Sequence, residues 1–517
     1  MLTKLTDFEH LVVSNNEQLR RYLESLLKEQ PHTQRSWLYE NTKPEEVLES
    51  WMQILADLEN GSDYEKEVFR FDTAQLSKWG PQGGHPPIRD VMTVVKQGFG
   101  NFSPPKGFKY VHWFAAKGDF QSQFSWGASL RPASYKAVVD DMRARDVLES
   151  NSGWPDFARR NLPKVKQHAV RDAESGRWQT FPAIALFRNY NQKLRLVWMF
   201  PMAANLVEGS FTQPLQRHVL QRDPEFFSPW IGFEAVRALV TKAYASGKYL
   251  AASDFASTDA HFRWATTKQV FDVVRLVFQS RYERPLYASL KRMHTIPLII
   301  GPNEQLTGNH GVSSGSNWTN LIETLFDWIF SHYVAMSNDN YRGLCAIGDD
   351  MCWVSDHYDE SFSVDLERLG KDVGQEIKAD KTTNNRDSVK FLQRLFQRGY
   401  LLPDGRCRAV YSTVRALKSS IYPERFHNPR LWSSDMFCAR QFMILENCCD
   451  HPLFEEFVRF VCKGQRDLVP FAKKTNAELA RIHRESKLLP GLNPTYNQEK
   501  RDRSFGDFQS IQLARSL

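Results

Sequence analysis

The sequence predicts an α+β protein built from more than one lobe. Strand-like and helix-like segments alternate between about residues 245 and 400, which indicates a sheet covered by helices. Helical spacing of apolar residues dominates before residue 75 and again after residue 417. A chain of 517 residues exceeds what one simple hydrophobic core usually supports, so several lobes are expected.

Composition and charge narrow the class of protein. Hydrophobic residues make up 42% of the chain and aromatic residues 13%, which excludes a disordered protein. A net charge of +7 is compatible with nucleic-acid binding but does not establish it. All seven cysteines lie at or beyond Cys345 without a CxxC pair, which argues against a disulfide framework or a structural zinc site.

The N-terminal stretch and the apolar runs bear on location. The first residues lack the basic region and long apolar run of a signal peptide, and resemble an amphipathic helix. The sequence contains no run of about 18 apolar residues, the length that a transmembrane helix needs. We therefore expect a soluble, intracellular protein.

The stretch "GLCAIGDDMCWV", residues 343–354, predicts a hairpin, because strand-like flanks surround a turn with glycine beside aspartate. Side chains alternate along a strand, so Asp349 and Asp350 are expected to point in opposite directions. We expect Asp349 to face a metal directly and Asp350 to have a secondary role. Taken alone, however, an acidic turn of this kind is more often structural than functional.

A second source of carboxylates is "YLAASDFASTDAHF", in which Asp254 ends a strand-like run and Asp259 precedes a helix. If this strand lies beside the hairpin, Asp254 and Asp349 meet at one edge of the sheet, where their like charges call for cations. Hard oxygen ligands favour Mg²⁺, with Mn²⁺ possible, and two such ions are a general device for phosphoryl transfer. Without a partner, Asp254 would instead be interpreted as a helix N-cap.

The stretch "GNHGVSSGSNWTNLIETLFDWIF" predicts a polar loop leading into an apolar-faced helix. Ser314 and Gly315 lie in the loop, and Thr319 and Asn320 lie on the first helical turn. Such a loop is suited to hold a sugar or a template strand through its backbone and hydroxyl groups. The alternative is an ordinary helix N-cap.

Basic residues supply the charge that a triphosphate needs. In "NQKLRLVWMFP", Lys193 and Arg195 alternate along a strand-like stretch and therefore share one face, with Arg188 just upstream. The forked guanidinium of arginine matches phosphate oxygens. The alternative is a solvated basic strand. Lys378 and Lys381 follow later in "GQEIKADKT".

These pieces follow one another in a recognisable order. A basic strand, D-x4-D, SG-x3-TN, GDD and then a lysine, over residues 188–395, resemble the motifs of viral RNA-dependent RNA polymerases. Within that group, the "SGS..TN" loop resembles the polymerases of small double-stranded RNA viruses, the picobirnaviruses first and the partitiviruses next. The resemblance implies template-directed RNA synthesis from NTPs on an RNA template, in viral genome replication and transcription.

The resemblance also implies a right-hand fold with fingers, a palm made of an antiparallel sheet flanked by helices, and a mostly helical thumb. The expected divisions are fingers over 1–245, with an N-terminal helical region bridging toward the thumb, palm over 246–262, a fingers insertion over 263–310, palm over 311–400, and thumb and C-terminal tail over 401–517. The stretch "VKFLQRLFQRGY" resembles the hairpin that grips the primer strand.

The same resemblance implies roles for individual residues. Asp254 and Asp349 resemble the ligands of two metal ions, with Asp350 assisting. Lys381 resembles the lysine that protonates pyrophosphate, and Lys378 is close enough in sequence to compete for that role.

Residues that resemble the nucleotide-binding positions fall into three sets. Asp259 resembles the residue that senses the ribose 2′-hydroxyl. The residues that resemble the ribose- and template-positioning element are Ser314, Gly315, Thr319 and Asn320. The residues that resemble the triphosphate-binding positions are Lys193, Arg195 and, as a third, Arg188.

One departure and two rivals qualify this interpretation. Many positive-strand polymerases carry asparagine where this chain has Glu323, so we expect Asn320 to take the role of that asparagine. A reverse transcriptase usually places an aromatic residue at the position of Asp259 and another before the paired aspartates, whereas this chain has "AIGDD". A non-catalytic RNA-binding or capsid-associated protein would leave Asp254 unexplained. RNA synthesis is therefore preferred.

The resemblance also implies partners and location. They are RNA template and product, NTPs, two divalent ions and a viral capsid protein, in a monomer without membrane attachment, in the virion interior and the host cytoplasm. Residues 488–517 are expected to form an extended tail, and the aromatic and basic composition of "NPTYNQEKRDRSFGDF" raises the hypothesis that this segment enters the catalytic cavity.

Overall fold

The structure of the chain is a computed structural model that describes residues 1–145, 147–489 and 503–517. Within these ranges, helices surround three β-sheets. The helices are α1 (Asp7–Ser14), α2 (Glu17–Leu26), α3 (Pro44–Leu55), α4 (Asp63–Thr73), α5 (Met92–Val95), α6 (Val111–Phe120), α7 (Tyr135–Ala144), α8 (Pro163–Glu174), α9 (Met202–Arg222), α10 (Ser228–Ile231), α11 (Phe233–Ala245), α12 (Thr258–His261), α13 (Trp264–Val274), α14 (Glu283–Met293), α15 (Trp318–Ser337), α16 (Phe362–Asp372), α17 (Thr413–Ile421), α18 (Ser434–Glu446), α19 (Phe454–Lys463), α20 (Leu468–Ala472), α21 (Asn476–Ser486) and α22 (Gln509–Arg515).

The strands form sheets of five, four and three members, with the orders β1-β6-β5-β2-β3, β7-β8-β4-β9 and β10-β11-β12. The strands are β1 (Leu2–Lys4), β2 (Ala183–Tyr190), β3 (Lys193–Met199), β4 (Tyr249–Ala256), β5 (Leu298–Ile299), β6 (Glu304–Leu306), β7 (Tyr341–Ile347), β8 (Asp350–Ser355), β9 (Glu376–Ile377), β10 (Ser388–Phe391), β11 (Arg394–Gln397) and β12 (Val410–Tyr411). The predicted α+β class is confirmed.

The four-stranded sheet contains the predicted hairpin and the predicted strand that carries Asp254. Strands β7 and β8 pair in antiparallel fashion and are joined by Gly348 and Asp349. Gly348 has a φ of +58°, which glycine adopts without steric cost in a tight hairpin turn. Strand β4 pairs with β8 and places Asp254 directly opposite Asp350. The two acidic stretches therefore meet in one sheet.

The five-stranded sheet carries the predicted basic stretch on its edge strand β3. Strands β2 and β3 pair along their length, from Ile184 with Met199 to Tyr190 with Lys193. Strands β5 and β6, about 100 residues later in the chain, extend this sheet, and β1 forms its other edge. Distant parts of the sequence thus support the basic strand.

The hydrophobic core is divided into three clusters of buried residues. The largest joins residues 5–26 with β2, β3, α9 and α15, and a small one lies between α11 and the strands β4, β8, β10 and β11. In the third, residues 38–71 pack against residues 395–514, with the fully buried Trp51 contacting Phe457 and Phe460. The N-terminal region therefore contributes to two clusters at once.

The C-terminal residues differ from the prediction. The expected extended tail is wrong for residues 503–517, because α22 packs against α18, α19 and α20, and Phe505, Phe508 and Ile511 are buried there. The apolar spacing in "FGDFQSIQLA" explains this helix. Of the segment proposed to enter the cavity, residues 493–508, the greater part, residues 493–502, lies outside the described residues.

Two further findings concern the cysteines and the apolar character of the helices. Six of the seven cysteines are buried thiols. Across the described ranges, none of the helices combines the length and apolar character needed to cross a bilayer.

Candidate active site

A cavity of about 620 Å³ lies between β3, the end of β4, the turn of the β7–β8 hairpin and the start of α15. Most of the site residues predicted from the sequence line this cavity. They are Arg188, Lys193, Arg195, Asp254, Asp259, Ser314, Thr319, Asn320, Asp349 and Lys381. The predicted residues Gly315 and Asp350 lie next to the cavity without lining it, and Lys378 and Glu323 line it as well. Residues from five separated stretches of the chain therefore line one cavity.

The carboxylates of Asp254 and Asp349 approach the cavity from neighbouring elements. Asp254 lies inside strand β4 and the N-cap of α12 is Ser257, so the alternative that Asp254 caps a helix is excluded. Asp349 lies in the hairpin turn, where its carboxylate accepts a hydrogen bond of 3.0 Å from the Thr258 hydroxyl. Its backbone oxygen accepts another, of 3.3 Å, from Phe255. These bonds fix the turn against the end of β4.

Negative charge around this turn is poorly compensated. Burial raises the pKa of Asp349, the charge of Asp254 adds to that rise, and the hydrogen bond from Thr258 opposes it. Partial burial also raises the pKa of Asp254, and the ammonium group of Lys381 opposes that rise. Carboxyl groups whose ionised forms are disfavoured in this way gain from a bound cation.

The positions of Asp349 and Asp350 differ from the expectation that both lie in a strand. Strand β7 ends at Ile347 and β8 begins at Asp350, so Asp349 is a turn residue and the strand periodicity does not apply to it. Residues directly opposite each other on adjacent strands share a face, so Asp350 lies on the same face as Asp254. The prediction that Asp349 and Asp350 point in opposite directions assumed that both lie in a strand. That assumption is wrong, because Asp349 lies in the turn. Burial and the charges of Asp349 and Asp254 raise the pKa of Asp350 well above its ordinary value.

The carboxylates at the cavity are the residues that could hold the expected divalent ions. Among the residues that the structure describes, no three His, Cys, Asp or Glu side chains form a cluster ready to hold a metal. Two carboxylates, Asp254 and Asp349, nevertheless face one cavity. Mg²⁺ is commonly bound by one or two carboxylates together with substrate phosphates and water. The residues present therefore fit such an ion when a phosphate-bearing substrate supplies the remaining oxygens.

The cavity also has a basic wall. Lys193 and Arg195 are exposed on β3, and Lys378 and Lys381 approach from the segment after β9. Burial and the charges of Arg195 and Lys381 lower the pKa of Lys193, while Asp254 opposes that change. Lys378 lies 3.6 Å from a carboxylate oxygen of Glu376. The cavity is thus lined by both carboxylates and cations.

Arg188 differs from the other two basic residues of its segment. Its guanidinium donates two hydrogen bonds of 2.8 Å to the carboxylate of Glu424, which lies far along the chain in the C-terminal region. It also stacks over the ring of Tyr190, with 4.5 Å between the guanidinium carbon and the ring centroid. Arg188 therefore links β2 to the C-terminal region as well as lining the cavity.

The predicted loop and helix start are ordered against the cavity. The Ser314 hydroxyl accepts a hydrogen bond of 3.2 Å from the backbone nitrogen of Trp198 on β3, so the loop is attached to the basic strand. Thr319 is buried and donates its hydroxyl to the Ser313 carbonyl oxygen at 2.6 Å, whereas Asn320 is exposed to the cavity. Thr319 therefore orders the loop and leaves Asn320 available to a ligand.

Asp259 combines exposure with a perturbed pKa. Its side chain is exposed to the cavity, although protein surrounds the carboxyl group on its other sides. Burial and the charge of Asp349 raise the pKa of Asp259 to about 7, and the charge of Arg195 opposes the rise. The carboxyl group can therefore exchange a proton near neutral pH and both donate and accept hydrogen bonds.

Several polar residues around the site were not predicted from the sequence as site residues. Thr258 was not singled out, although it lies within the quoted D-x4-D stretch. Glu323 lines the cavity one helical turn before Asp327, and burial together with neighbouring carboxylates raises the pKa of both groups well above their ordinary values. Glu208, on the distant helix α9, holds the loop that contains Ser316. The periodicity of α15 signals burial of Asp327, but nothing in the sequence signals the contact of Glu208.

Comparison with known protein families and with individual proteins finds viral polymerases. The family described as "Viral RNA-dependent RNA polymerase" matches residues 169–418. A potential RNA-dependent RNA polymerase of Human picobirnavirus (strain Human/Thailand/Hy005102/-) is 26% identical over 489 residues, which cover 87% of this chain and 86% of the relative. An RNA-directed RNA polymerase of Cryptosporidium parvum virus 1 (strain KSU-1) is 23% identical over 198 residues, 37% of this chain and 38% of the relative.

Comparison with solved structures identifies the fold. The crystal structure of the RNA-dependent RNA polymerase of a human picobirnavirus superimposes with a TM-score of 0.80, at 22% identity, covering 99% of this chain and all (100%) of that chain. The structure of an insertion loop deletion mutant of that protein gives a TM-score of 0.79 over the same shares. The predicted fold class and the predicted resemblance to the picobirnavirus proteins are confirmed.

Proposed function

We propose that this chain, a viral RNA-dependent RNA polymerase by sequence and fold, replicates and transcribes a viral genome by two-metal nucleotidyl transfer. One observation carries the mechanism. Asp254 on β4 and Asp349 in the hairpin turn face one cavity that also has a basic wall. An incoming triphosphate and divalent cations carry charges that match these basic and acidic residues.

The carboxylates of Asp254 and Asp349, with Asp350 assisting, would hold two divalent ions, Mg²⁺ or Mn²⁺. When bound, such ions supply charge neutralisation and activation of the attacking hydroxyl in phosphoryl transfer. Thr258 orients Asp349 through its hydrogen bond of 3.0 Å. Because catalysis of phosphoryl transfer consists mostly of positioning and charge stabilisation, small displacements of this turn are costly.

The basic wall binds the triphosphate. Lys193 and Arg195 share the exposed face of β3 and contact the phosphates, with Arg188 as a third residue held by Glu424. Lys381 protonates the departing pyrophosphate. Lys381 fits this role better than Lys378, since Lys378 lies near Glu376 and the charge of Lys381 acts on Asp254.

The loop and Asp259 select and place the nucleotide. Asp259 faces the cavity and pairs with the ribose 2′-hydroxyl, which a deoxyribonucleotide lacks. Ser314, Gly315 and Asn320 position the ribose and the template strand. Thr319 acts through the loop, because its own hydroxyl is bonded to the Ser313 carbonyl oxygen.

The proposed lobes are fingers over 1–245 and 263–310, palm over 246–262 and 311–400, and thumb with the C-terminal residues over 401–517. The joining of β5 and β6 to β2 and β3 supports the assignment of 263–310 to the fingers. The contribution of residues 38–71 to the core around residues 395–514 supports a bridge from the N-terminal region to the thumb. The protein works as a monomer on RNA and NTPs, associates with a viral capsid protein, and acts in the virion interior and host cytoplasm.

Single-nucleotide incorporation on a short RNA template tests this function and separates it from its rivals. The polymerase incorporates ribonucleotides in preference to deoxyribonucleotides, and EDTA abolishes the reaction. A preference for deoxyribonucleotides would identify a reverse transcriptase. RNA binding without any incorporation, in the presence of Mg²⁺ or Mn²⁺, would favour a non-catalytic RNA-binding protein.

A further inference from the structure

The loop from Ser313 to Asn317 rests on a buried carboxylate that has no role in the function proposed above. Glu208, on α9, is only 2% exposed. Its Oε1 accepts hydrogen bonds from the backbone nitrogen of Asn317 at 3.0 Å and from the side-chain amide of Asn205 at 2.9 Å. Its Oε2 accepts a hydrogen bond from the Ser316 hydroxyl. One carboxylate thus holds two successive residues of the loop.

Asn205 reinforces the same attachment. Its side-chain amide also donates to the Gly315 carbonyl oxygen at 3.2 Å, and its backbone oxygen accepts from the Asn317 side chain at 3.0 Å. The guanidinium of Arg160 donates to the Asn205 side-chain oxygen at 2.8 Å, which fixes the orientation of the amide. Three successive loop residues are therefore bonded to one face of α9.

The other side of the loop rests on strand β3. The backbone nitrogen of Trp198 donates to the Ser314 hydroxyl at 3.2 Å. A Cβ atom on Gly315 would lie 1.7 Å from the Trp198 carbonyl oxygen, so only glycine permits this approach. The loop is clamped between α9 and the strand that carries Lys193 and Arg195, and its position depends on both supports.

Burial of Glu208 is unfavourable in itself. Desolvation raises its pKa to about 7, and the hydrogen bonds from Ser316, Asn317 and Asn205 and the charge of Arg160 oppose that rise. A buried carboxylate is tolerated where hydrogen bonds and charges compensate for its desolvation. The convergence of its hydrogen bonds on one loop indicates a role in holding that loop.

We propose that Glu208 is a positioning residue for nucleotide binding, which holds the loop from Ser314 to Asn317 in the conformation that receives the incoming NTP. This inference rests on the proposed function, because the loop is the element that places the ribose and the template. Glu208 acts through the loop and does not line the cavity. Its loss is expected to weaken binding of the nucleotide more than it slows the chemical step.

The test compares Glu208→Ala and Glu208→Gln in single-nucleotide incorporation. Glu208→Ala removes the acceptors of three hydrogen bonds and is expected to raise the KM for NTP about tenfold, in keeping with the loss of a hydrogen bond to a charged group, with a smaller change in kcat. Glu208→Gln keeps Oε1 for Asn317 and Asn205 and can donate to the Ser316 hydroxyl oxygen. It is expected to restore most of the wild-type KM.

The matched control is Glu446 on α18, a carboxylate that is 1% exposed and accepts hydrogen bonds of 2.7 and 3.0 Å from the hydroxyl and backbone nitrogen of Ser510. Glu446→Ala removes a comparable buried network far from the cavity and should leave the KM for NTP unchanged. An unchanged KM in Glu208→Ala, or an equal rise in Glu446→Ala, would overturn the proposal. If Glu208→Ala fails to fold, Ser316→Ala removes one donor and should raise the KM by a smaller factor. An unchanged KM in Ser316→Ala would overturn the proposal just as well.

Hydrogen exchange provides a readout that is independent of activity. In the absence of substrate, Glu208→Ala should accelerate exchange of the Asn317 amide, and Glu446→Ala should not. A wild-type protein that incorporates no ribonucleotide would refute the proposed function, while the exchange data would still decide whether Glu208 holds the loop. Unchanged exchange in Glu208→Ala would refute the proposal even in an active polymerase.

Discussion

Two fully buried aspartates, Asp72 in the N-terminal region and Asp327 behind the cavity, have opposite environments. Both are 0% exposed. The carboxylate of Asp72 on α4 accepts hydrogen bonds of 2.5–3.0 Å from donors near the start of α17 and before α19, namely the Ser412 and Thr413 hydroxyls, the Val414 backbone nitrogen and the His451 ring. Among the residues described, neither carboxyl oxygen of Asp327 on α15 has a hydrogen-bond partner.

The pKa values differ accordingly. Burial alone would raise the pKa of Asp72, but the hydrogen bond and charge of His451 and the hydrogen bond from Ser412 reverse the effect and lower it. Burial and the charges of Asp349 and Asp350 raise the pKa of Asp327 well above its ordinary value. The hydrogen bonds of Asp72 compensate for its burial and connect separate elements. The acidic groups around the hairpin lack such compensation, and cations can neutralise their charge.

The largest expected effect is on activity, from substitution at the acidic wall. Asp254→Asn should reduce nucleotide incorporation by about 10³-fold, because metal-assisted charge stabilisation contributes several kcal/mol to phosphoryl transfer. Asp350→Asn should cost less, since Asp350 does not line the cavity. Single-turnover incorporation measures both, and equal losses in the two variants would contradict the distinction between them.

The next effect is on stability, from substitution of the satisfied carboxylate. Asp72→Ala leaves His451 and two hydroxyl groups without their acceptor and should lower the free energy of unfolding by about 3 kcal/mol. Chemical denaturation measures the loss. The kcat of the folded variant should stay close to that of the wild type at low temperature. A large fall in kcat with unchanged stability would contradict the structural role of Asp72.

A third substitution tests the basic wall. Lys381→Met removes the group proposed to protonate pyrophosphate and should lower kcat by about 10²-fold, within the range of general acid catalysis. Lys378→Met is the matched control and should have the smaller effect, because Lys378 lies close to Glu376. A larger loss in Lys378→Met would transfer the role to that residue.

The smallest expected effect concerns Asp327 and has the opposite sign. Its raised pKa means that the native state retains the proton at pH values where the unfolded chain has lost it, so the native state loses stability as the pH rises through that pKa. Asp327→Asn cannot ionise and should be more stable than the wild type by a margin that grows with pH. Thermal unfolding measured over a range of pH tests this. A variant that becomes relatively less stable as the pH rises would contradict it.

Local patterns allowed the main elements of the site to be predicted. The hairpin, strand β4 and the start of α15 each have a periodicity or a turn residue that can be recognised within a short stretch of sequence. The order of the motifs indicated that they belong together. The expected alternation of side chains nevertheless does not hold at Asp349, because a two-residue turn interrupts the period of the strands.

Contacts between distant residues were beyond a local interpretation. Glu208 meets Ser316 across 108 positions, and Asp72 meets Ser412 across 340. Their partners follow from how helices pack, which no spacing within one segment encodes. The C-terminal helix α22 was also missed, because its short apolar pattern follows a polar stretch typical of a tail.

The most direct test of the central claim, that Asp254 and Asp349 form the metal-binding centre of an RNA polymerase, is unprimed incorporation of ribonucleotides on a short RNA as Mg²⁺ is titrated. The wild type should incorporate nucleotides in a manner that depends on Mg²⁺. Asp349→Ala should incorporate none at any Mg²⁺ concentration, while filter retention shows that it still binds the RNA. Incorporation by Asp349→Ala at the wild-type rate would contradict the claim.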